Sequence, residues 1–372
     1  MESPWKVIVW CVICFFPVLI YLLRHRRPAN FPPGPPGWPF IGNMFDVGNM
    51  PHRNLAALKQ KYGSVVGLQL GAIRTMVILT PKAATEFFKN HDLNFVERTI
   101  TDTMTVHDFD KNSLSLASYG PSWRALRRLT TLDMLVAKRI NESAPIRRKC
   151  VDQMLAWLEE EARQNRTVEV ARFTFLTTFN LLGNLMLSSD LLDPNCEEGA
   201  EFFEAMMSLM EWGGHPNLSD IFPFLKPFDL QGLRRKMHHD LGNALKIASR
   251  FVKKRMEERQ KGVQTDRPKD FLDVLLEFEG DPKEGITKIS EHTINVFIME
   301  IFLAGSETTS STTEWVMTEL ICNPEAMSKR DDGCGSYGDH SEKGRSIKTN
   351  AEVPGCNVTR ATKISIRLFY LY

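Results

Sequence analysis

Apolar residues at helical spacing between residues 290 and 323 predict one long, buried helix. Apolar side chains recur three and four positions apart on both sides of a polar centre, which is the period of a helix face. Ser290 is a suitable N-cap, and Pro324 ends the pattern because a residue that precedes proline avoids the α conformation. At a rise of about 1.5 Å per residue, the helix is expected to be about 50 Å long and to cross a whole domain. We expect so apolar a helix to lie in a core.

The centre of this predicted helix reads Ala304-Gly305-Ser306-Glu307-Thr308-Thr309 and has two interpretations. In the first, the small residues let another helix approach closely, and the threonine hydroxyls bond back to carbonyls one turn earlier. In the second, Ala304 and Gly305 leave room for a flat cofactor, and Glu307 and Thr308 form a buried acid–hydroxyl pair that relays protons. The whole hexapeptide resembles the central helix of the cytochrome P-450 haem-thiolate monooxygenases, whose pattern there is Ala/Gly-Gly-x-Asp/Glu-Thr-Thr/Ser.

Residues 1–27 are predicted to form a membrane anchor. Val7 to Leu23 is apolar and uncharged, close to the roughly 17 residues that a spanning helix needs. Arg24, Arg26 and Arg27 follow the apolar run, whereas a cleaved signal peptide carries its positive charges before it. The positive-inside rule then places the rest of the chain in the cytosol. We therefore predict a single-pass, uncleaved N-terminal transmembrane helix.

Residues 28–43 are rich in proline and contain the stretch Phe31-Pro32-Pro33-Gly34-Pro35-Pro36-Gly37-Trp38-Pro39. Its prolines disfavour helix and sheet and favour the extended polyproline II conformation. Such a segment can be a ligand of an SH3 domain, but directly after an anchor it is more often a stiff spacer. It resembles the proline-rich hinge of microsomal cytochromes P-450.

Residues 44–327 have the pattern of a mainly α domain with a small β-sheet. Val65–Leu70 and Thr75–Leu79 read as two strands of a hairpin around Gly71-Ala72. Helical spacing predicts helices at 52–62, 81–90, 122–136, 141–164, 172–187, 198–212, 229–262 and 271–278. This order resembles the N-terminal part of the cytochrome P-450 fold. In that family the region of Thr99–Asn112, which is polar and irregular here, closes over the substrate.

The helix predicted over Ser122–Val136 places Trp123 and Arg127 on one face, four residues apart. By itself this pair is typical of a basic solvated face with one tryptophan packed inward. In the family, Trp-x-x-x-Arg at this point hydrogen-bonds the haem propionates, for which forked cationic donors are suited. The resemblance thus assigns Trp123, Arg127, Ala304 and Gly305 to haem binding, and Glu307 and Thr308 to catalytic proton delivery.

Composition and charge exclude some classes of function. The 46 basic and 45 acidic residues leave a formal net charge of +1, and nothing indicates a nucleic-acid partner. The seven cysteines are scattered without the spacing of a disulfide framework or a zinc site. This usage is typical of a reduced, cytosol-facing body.

The resemblance ends at about Met327, and residues 328–372 are predicted to be a divergent, disordered tail. The family's cysteine loop, Phe-x-x-Gly-x-x-x-Cys-x-Gly, does not occur in the sequence, because neither Cys334 nor Cys356 has the upstream Phe and Gly. The axial cysteine thiolate is the group that favours O–O cleavage on haem iron. With this metal ligand absent, we expect a truncated chain with an incomplete fold that binds haem weakly or not at all and is inactive.

The resemblance implies a haem-dependent monooxygenase of plant specialised metabolism, which hydroxylates a small apolar secondary metabolite with O2. It implies electrons from NADPH through a reductase partner, and a place on the endoplasmic reticulum membrane. The alternative, from another class, is a non-catalytic, membrane-anchored partner of the reductase or of other monooxygenases. Such a partner would dock through the basic helix that carries Arg124 and Arg128.

Overall fold

The computed structural model describes residues 28, 30–164, 170–192, 200–262, 269–280, 285, 288–326, 350–351 and 363–364. Contacts divide the chain into two compact units, one of Met1–Asp102 with Pro216–Gly232 and one of Thr103–His215 with Leu233–Tyr372. The fold class is mainly helical with a small two-stranded sheet, as predicted. Across the described ranges no helix is both long enough and apolar enough to cross a membrane, and the predicted anchor lies outside them.

The first unit contains the predicted hairpin. Val65–Leu70 (β1) pairs antiparallel with Ile73–Ile78 (β2), with Val65 opposite Ile78. The second strand thus begins two residues earlier than predicted, directly after the two-residue turn. The helices of the first unit are Met44–Val47, Pro51–Tyr62, Pro81–Asn90 and Leu218–Ile221, with 3-10 turns at Asp92–Phe95 and Pro223–Phe228.

The proline-rich segment of this unit packs along β1. The Gly67 N–H donates to the carbonyl of Pro33 at 2.9 Å. The Gln69 N–H donates to Oδ1 of the buried Asn43 at 2.9 Å. A Cβ at Gly34 would collide with the carbonyl oxygen of Gly67, so this glycine lets the two backbones touch. The segment is therefore bonded to the hairpin over residues 33–43.

The second unit is built of helices. These are Phe109–Asn112, Pro121–Leu129, Ala137–Glu142, Ala144–Arg163, Val170–Leu187, Ala200–Gly214, Leu233–Gln260, Phe271–Leu276 and Glu291–Cys322. A 3-10 segment spans Asp102–Asp108, and a π turn over Thr130–Met134 replaces the last part of the helix predicted at 122–136. Asn350–Ala351 and Lys363–Ile364 pair as short parallel strands, and the rest of the predicted tail lies outside the described residues.

The helix Glu291–Cys322, called the central helix below, has the predicted bounds. The Ser290 hydroxyl accepts the N–H of Thr293 at 3.0 Å, which confirms the N-cap. The helix ends directly before the predicted stop at Asn323-Pro324. Capping and proline chemistry are local, so both ends could be predicted without knowledge of the packing.

Burial of the central helix is continuous only in its first half, from Ile294 to Glu300. Phe297 and Phe302 are fully buried, whereas Trp315 and Val316 are 49% and 50% exposed. The prediction that the whole helix lies in a core was therefore wrong for its last third. The apolar pattern runs along both faces and cannot show which face has neighbours. The residues of the exposed face are Ala304, Thr308, Thr312, Trp315, Val316 and Glu319.

The helix Val170–Leu187, called the partner helix below, packs along the central helix. The rings of Phe179 and Phe302 lie 4.6 Å apart between centroids. Farther along, the Thr178 hydroxyl donates to the carbonyl of Ser306 at 3.3 Å. Buried side chains of both helices form one apolar cluster, so the core of this unit is helix on helix.

A buried ion cluster joins three segments of the same unit. Arg255 is 8% exposed, and its Nη1 lies 2.9 Å from Oδ2 of Asp270 and 2.9 Å from Oδ1 of Asp273. Its Nη2 donates to the carbonyl of Leu187, the last residue of the partner helix, at 3.0 Å. The two aspartates also form a capping box for Phe271–Leu276. The guanidinium therefore holds the end of the partner helix against this short helix.

Replacing Arg255 is expected to destabilise the fold, because two buried carboxylates lose their counter-charge. Arg255→Met should lower the free energy of unfolding by about 3–5 kcal/mol. The measurement is urea unfolding in detergent, followed by far-ultraviolet circular dichroism. The control is Arg250→Met at an exposed position of the same helix, with an expected change within about 0.5 kcal/mol. Equal losses in the two variants would contradict the role assigned to the cluster.

Candidate functional site

The hydroxyl groups at the centre of the central helix bond to the helix itself. The Thr308 hydroxyl donates to the carbonyl of Ala304 at 2.7 Å, and that of Thr309 donates to the carbonyl of Gly305 at 3.0 Å. Thr308 and Ala304 lie on the exposed face, whereas Glu307 is 6% exposed. Neighbouring helical residues point about 100° apart. The acid and the hydroxyl of the predicted pair therefore lie on different faces of the helix.

Gly305 lies against the partner helix. A Cβ at this position would lie 2.8 Å from Cδ1 of Leu182. The missing side chain thus lets the two helices approach, as the first interpretation of the hexapeptide expects. On the exposed face, the small side chain next to Gly305 is that of Ala304.

A row of buried polar residues continues from Glu307 toward the end of the central helix. Glu314 is 4% exposed, and the hydroxyl of Ser310 lies on the same face between the two glutamates. Burial raises the pKa of the Glu307 carboxyl above its ordinary value of 4.5. The pKa of Glu314 is raised by burial and, to a smaller extent, by the charge of Glu307. Among the described residues, Oε1 of Glu314 and the hydroxyl of Ser306 have no hydrogen-bond partner.

The predicted propionate donors stand on the helix Pro121–Leu129. The indole N–H of Trp123 donates to the carbonyl of Leu114 at 2.8 Å, and the ring lies 5.5 Å from that of Tyr119. Arg127, one turn later, is exposed. The structure therefore leaves the arginine side chain open to an external carboxylate, whereas the indole N–H already has an acceptor.

Glu300, which sequence reasoning missed, joins this region to the central helix. Its carboxylate is 8% exposed and accepts the hydroxyl of Ser113 at 2.9 Å. It also accepts the backbone N–H groups of Leu114 and Ser115, both at 2.6 Å. The available signal was a charged residue inside the apolar half of the helix, seven positions before Glu307. Its partners lie about 185 positions earlier in the chain and could not be inferred from spacing.

A small apolar cleft with a cavity volume of about 20 Å³ lies beside the central helix. Its walls come from Met104 and Phe109, from the helices Ala200–Gly214 and Leu233–Gln260, and from the part of the central helix just before Ala304. The lining side chains carry only carbon and sulfur. They are Met104, Phe109, Leu209, Met237, Leu241, Met299 and Leu303.

Metal-binding chemistry is not found in the described ranges. No group of three or more His, Cys, Asp or Glu side chains there is arranged to hold a metal ion. Cys150 is buried in the helix Ala144–Arg163, and burial raises the pKa of its thiol. A thiolate at that position is therefore disfavoured.

Comparison with known proteins decides the family. Residues 32–331 match the model of the cytochrome P-450 family. The chain belongs to the cytochrome P-450 family. This confirms the resemblance carried by the central hexapeptide, the proline-rich segment and the Trp-x-x-x-Arg pair.

Plant proteins are among the relatives of this P-450 chain. A cytochrome P-450 76A2 of Solanum melongena is 51% identical, over 88% of the chain and 66% of the relative. An iridoid oxidase of Catharanthus roseus is 46% identical, over 85% of the chain and 62% of the relative. A geraniol 8-hydroxylase of Catharanthus roseus is 35% identical, over 82% and 61%. The chain thus spans between 61% and 66% of the length of these three relatives.

The described residues fit the haem of the P-450 family in part. Ala304 offers a small, exposed surface to a flat group, and Arg127 offers an exposed guanidinium to a carboxylate. The N–H of Trp123 is engaged with Leu114, and Gly305 is packed near Leu182. The thiolate loop is not in the sequence, so residues 1–372 carry no family-type axial ligand.

The contact between Gly305 and Leu182 can be tested by a double-mutant cycle. Gly305→Leu should lower the free energy of unfolding by about 1–3 kcal/mol, because its side chain enters filled space. In the background of Leu182→Ala, which opens that space, the same change should cost less. The measurement is urea unfolding of the four proteins. Additive losses would show that the side chain added at Gly305 does not meet Leu182.

The raised pKa of Glu307 predicts the sign of a pH dependence. The folded carboxyl keeps its proton to a higher pH than the unfolded one, so its contribution to stability is present at acid pH and lost as the pH rises through the folded pKa. Glu307→Gln removes this contribution, so the stability of the variant should fall less than that of the parent between pH 4.5 and neutrality. The control is the exposed Glu319→Gln, which should follow the parent. The readout is thermal unfolding at each pH, and parallel curves for all three proteins would contradict the assignment.

Proposed function

We propose that this chain belongs to a haem-dependent monooxygenase that hydroxylates a small apolar secondary metabolite, with O2 and with electrons from NADPH through a reductase. Family membership and relatives named iridoid oxidase and geraniol 8-hydroxylase support the reaction class. The observation that carries the proposal is the small apolar cleft, whose lining includes Met299 and Leu303 in the turns of the central helix before the exposed Ala304. Leu303 and Ala304 point about 100° apart, so the cleft and the proposed haem surface lie on neighbouring faces of one stretch of this helix.

The cleft selects its substrate by exclusion of water. Its side chains offer no hydrogen bond, so binding comes from apolar area, at about 25 cal/mol per Å² removed from water. A polar substrate would lose its hydration without a replacement partner. A terpenoid-like skeleton meets this chemical requirement, but the cleft, at about 20 Å³, has room for about one water molecule and must open to admit such a skeleton.

Haem, when bound, supplies the activation of O2, and the chain supplies the surface and the protons. We assign contact with the flat ring to Ala304 and the binding of a propionate to Arg127. Trp123 can join as a second donor only by releasing the carbonyl of Leu114. Gly305 contributes indirectly, by keeping the partner helix close behind the site.

We assign proton delivery to Glu307 and Thr308. Burial raises the pKa of Glu307, so the carboxyl retains a proton nearer to neutral pH than an ordinary glutamate does. The Thr308 hydroxyl donates to Ala304 and reaches a ligand on the exposed face only after rotation about χ1. The two groups lie on different faces, so the transfer between them needs a water molecule or a movement of the Glu307 side chain.

We further propose that residues 1–372 do not support turnover by themselves. None of the seven cysteines stands in the family's thiolate loop, and a haem without that ligand lacks the electron donation that favours O–O cleavage. The proposal concerns these residues, whatever else a longer protein contains.

For the cellular location, we propose the endoplasmic reticulum membrane, with a single-pass anchor at residues 7–23 and the body in the cytosol. The anchor rests on the sequence. The first unit exposes large apolar side chains, among them Phe45 at 71%, Phe224 at 72% and Phe228 at 69%. Such exposure supports contact with an apolar surface.

Haem titration tests the cofactor surface. The parent is expected to bind haem at most weakly, and the spectrum of its reduced carbon-monoxide complex should lack the thiolate-type Soret band. Ala304→Phe places a large ring on the exposed face and should weaken haem binding by about tenfold or more, equivalent to roughly 1.4 kcal/mol. The control is Ala137→Phe, the same change at an exposed helical alanine elsewhere in the second unit.

Three outcomes count against parts of this proposal. Equal haem binding by Ala304→Phe and the control would remove Ala304 from the site. A parent that binds no haem would remove the cofactor from this chain. A thiolate-type band would show that a cysteine does reach the iron and would overturn the expected lack of turnover.

A further inference from the structure

Three sets of hydrogen bonds attach residues 107–115 to the first half of the central helix. The carbonyl of His107 accepts Nε2–H of His292 at 2.8 Å. The hydroxyl of Thr293 donates to Oδ1 of Asn112 at 2.7 Å. The third set is made by the carboxylate of Glu300, which accepts three donors from residues 113–115.

The Glu300 attachment differs from the other two in strength and in place. Its bonds are charge-assisted and converge on one buried carboxylate, and two of them come from consecutive backbone N–H groups. A carboxylate offers lone pairs to all three donors, whereas a neutral amide offers only one oxygen and turns its own N–H groups toward them. The geometry is therefore specific for a carboxylate.

The same backbone holds the Trp123 indole. The residue whose N–H binds Glu300 at 2.6 Å is Leu114, and the carbonyl of Leu114 accepts the indole N–H at 2.8 Å. The central helix thus fixes the position of Leu114 through its N–H. Leu114 in turn fixes the orientation of Trp123 through its carbonyl.

We propose that Glu300 is a positioning residue of the cofactor site, which holds the carbonyl of Leu114 and through it the indole of Trp123. It touches neither substrate nor cofactor and acts through these two groups. The inference deepens the proposed function, since Trp123 joins the propionate site only by releasing the carbonyl of Leu114, and Glu300 fixes the residue that carries this carbonyl. The bonded arrangement itself does not depend on that function.

Exchange of the Trp123 indole N–H with solvent tests the proposal without haem. The chain is labelled with tryptophan carrying ¹⁵N in the indole, and Trp123→Phe identifies the signal among the seven tryptophans. In Glu300→Gln, the exchange at Trp123 should accelerate by about tenfold, because a charge-assisted anchor is replaced by an incomplete one. Exchange at Trp315, on the exposed face, should stay unchanged.

Two further variants make the result specific. Thr293→Val removes the attachment at Asn112 and should leave Trp123 exchange at the parent rate. Glu300→Asp keeps the carboxylate but shortens its reach, so it should accelerate exchange by less, about threefold. If Glu300→Gln does not fold, as judged by circular dichroism, the Glu300→Asp protein carries the test.

The outcomes separate the inference from the proposed function. Unchanged Trp123 exchange in a folded Glu300→Gln or Glu300→Asp protein overturns the positioning role. The role is also overturned if Thr293→Val accelerates Trp123 exchange as much as Glu300→Gln does. Accelerated exchange at Trp123 supports that role, even if haem titration of the parent shows no binding. In that case the proposed function fails for this chain, while the bonded link from Glu300 to Trp123 stands.

Discussion

The close approach of the partner helix to the central helix is the constraint on which the second unit depends. Gly305 makes it possible, because any side chain there would meet Leu182. The approach buries the Phe179–Phe302 contact and brings the Thr178 hydroxyl to a helix carbonyl. It also turns the opposite face, with Ala304 and Thr308, toward solvent, and the candidate site lies on that face. One small residue therefore serves packing on one side and leaves the other side open.

Three glutamates lie seven residues apart on the central helix, and their different surroundings give these identical side chains different properties. Glu300 meets backbone N–H groups and a hydroxyl, and so holds a segment in place. Glu307 and Glu314 lie in the buried row without such donors, and burial raises the pKa of both. A carboxylate with donors anchors structure, whereas one without them tends to keep its proton. The helix thus combines an anchor and proton-holding groups on one stripe.

Features that depend on local chemistry could be predicted from the sequence, whereas features that depend on long-range contacts could not. The N-cap at Ser290 and the stop at Pro324 depend on neighbours within one turn, and both ends were predicted correctly. The long helix predicted at 229–262 instead begins at Leu233, because Asp229 and Gly232 have left-handed φ angles of 40° and 65°. The exposure of Trp315 was missed, since the neighbours of a face come from distant parts of the chain.

The amino-acid sequence by itself determined the family, the order of helices and hairpin, and the hexapeptide that marks the candidate site. These features depend on short-range periodicity and on residues at fixed spacing. Only the tertiary structure decided that the second half of the central helix has an exposed face, that the Trp123 N–H is held by Leu114, and that Glu300 anchors this link. The reason is physical: Glu300 lies 186 positions from Leu114, and the exposure of a helix face depends on distant neighbours, so no local pattern records which partners meet.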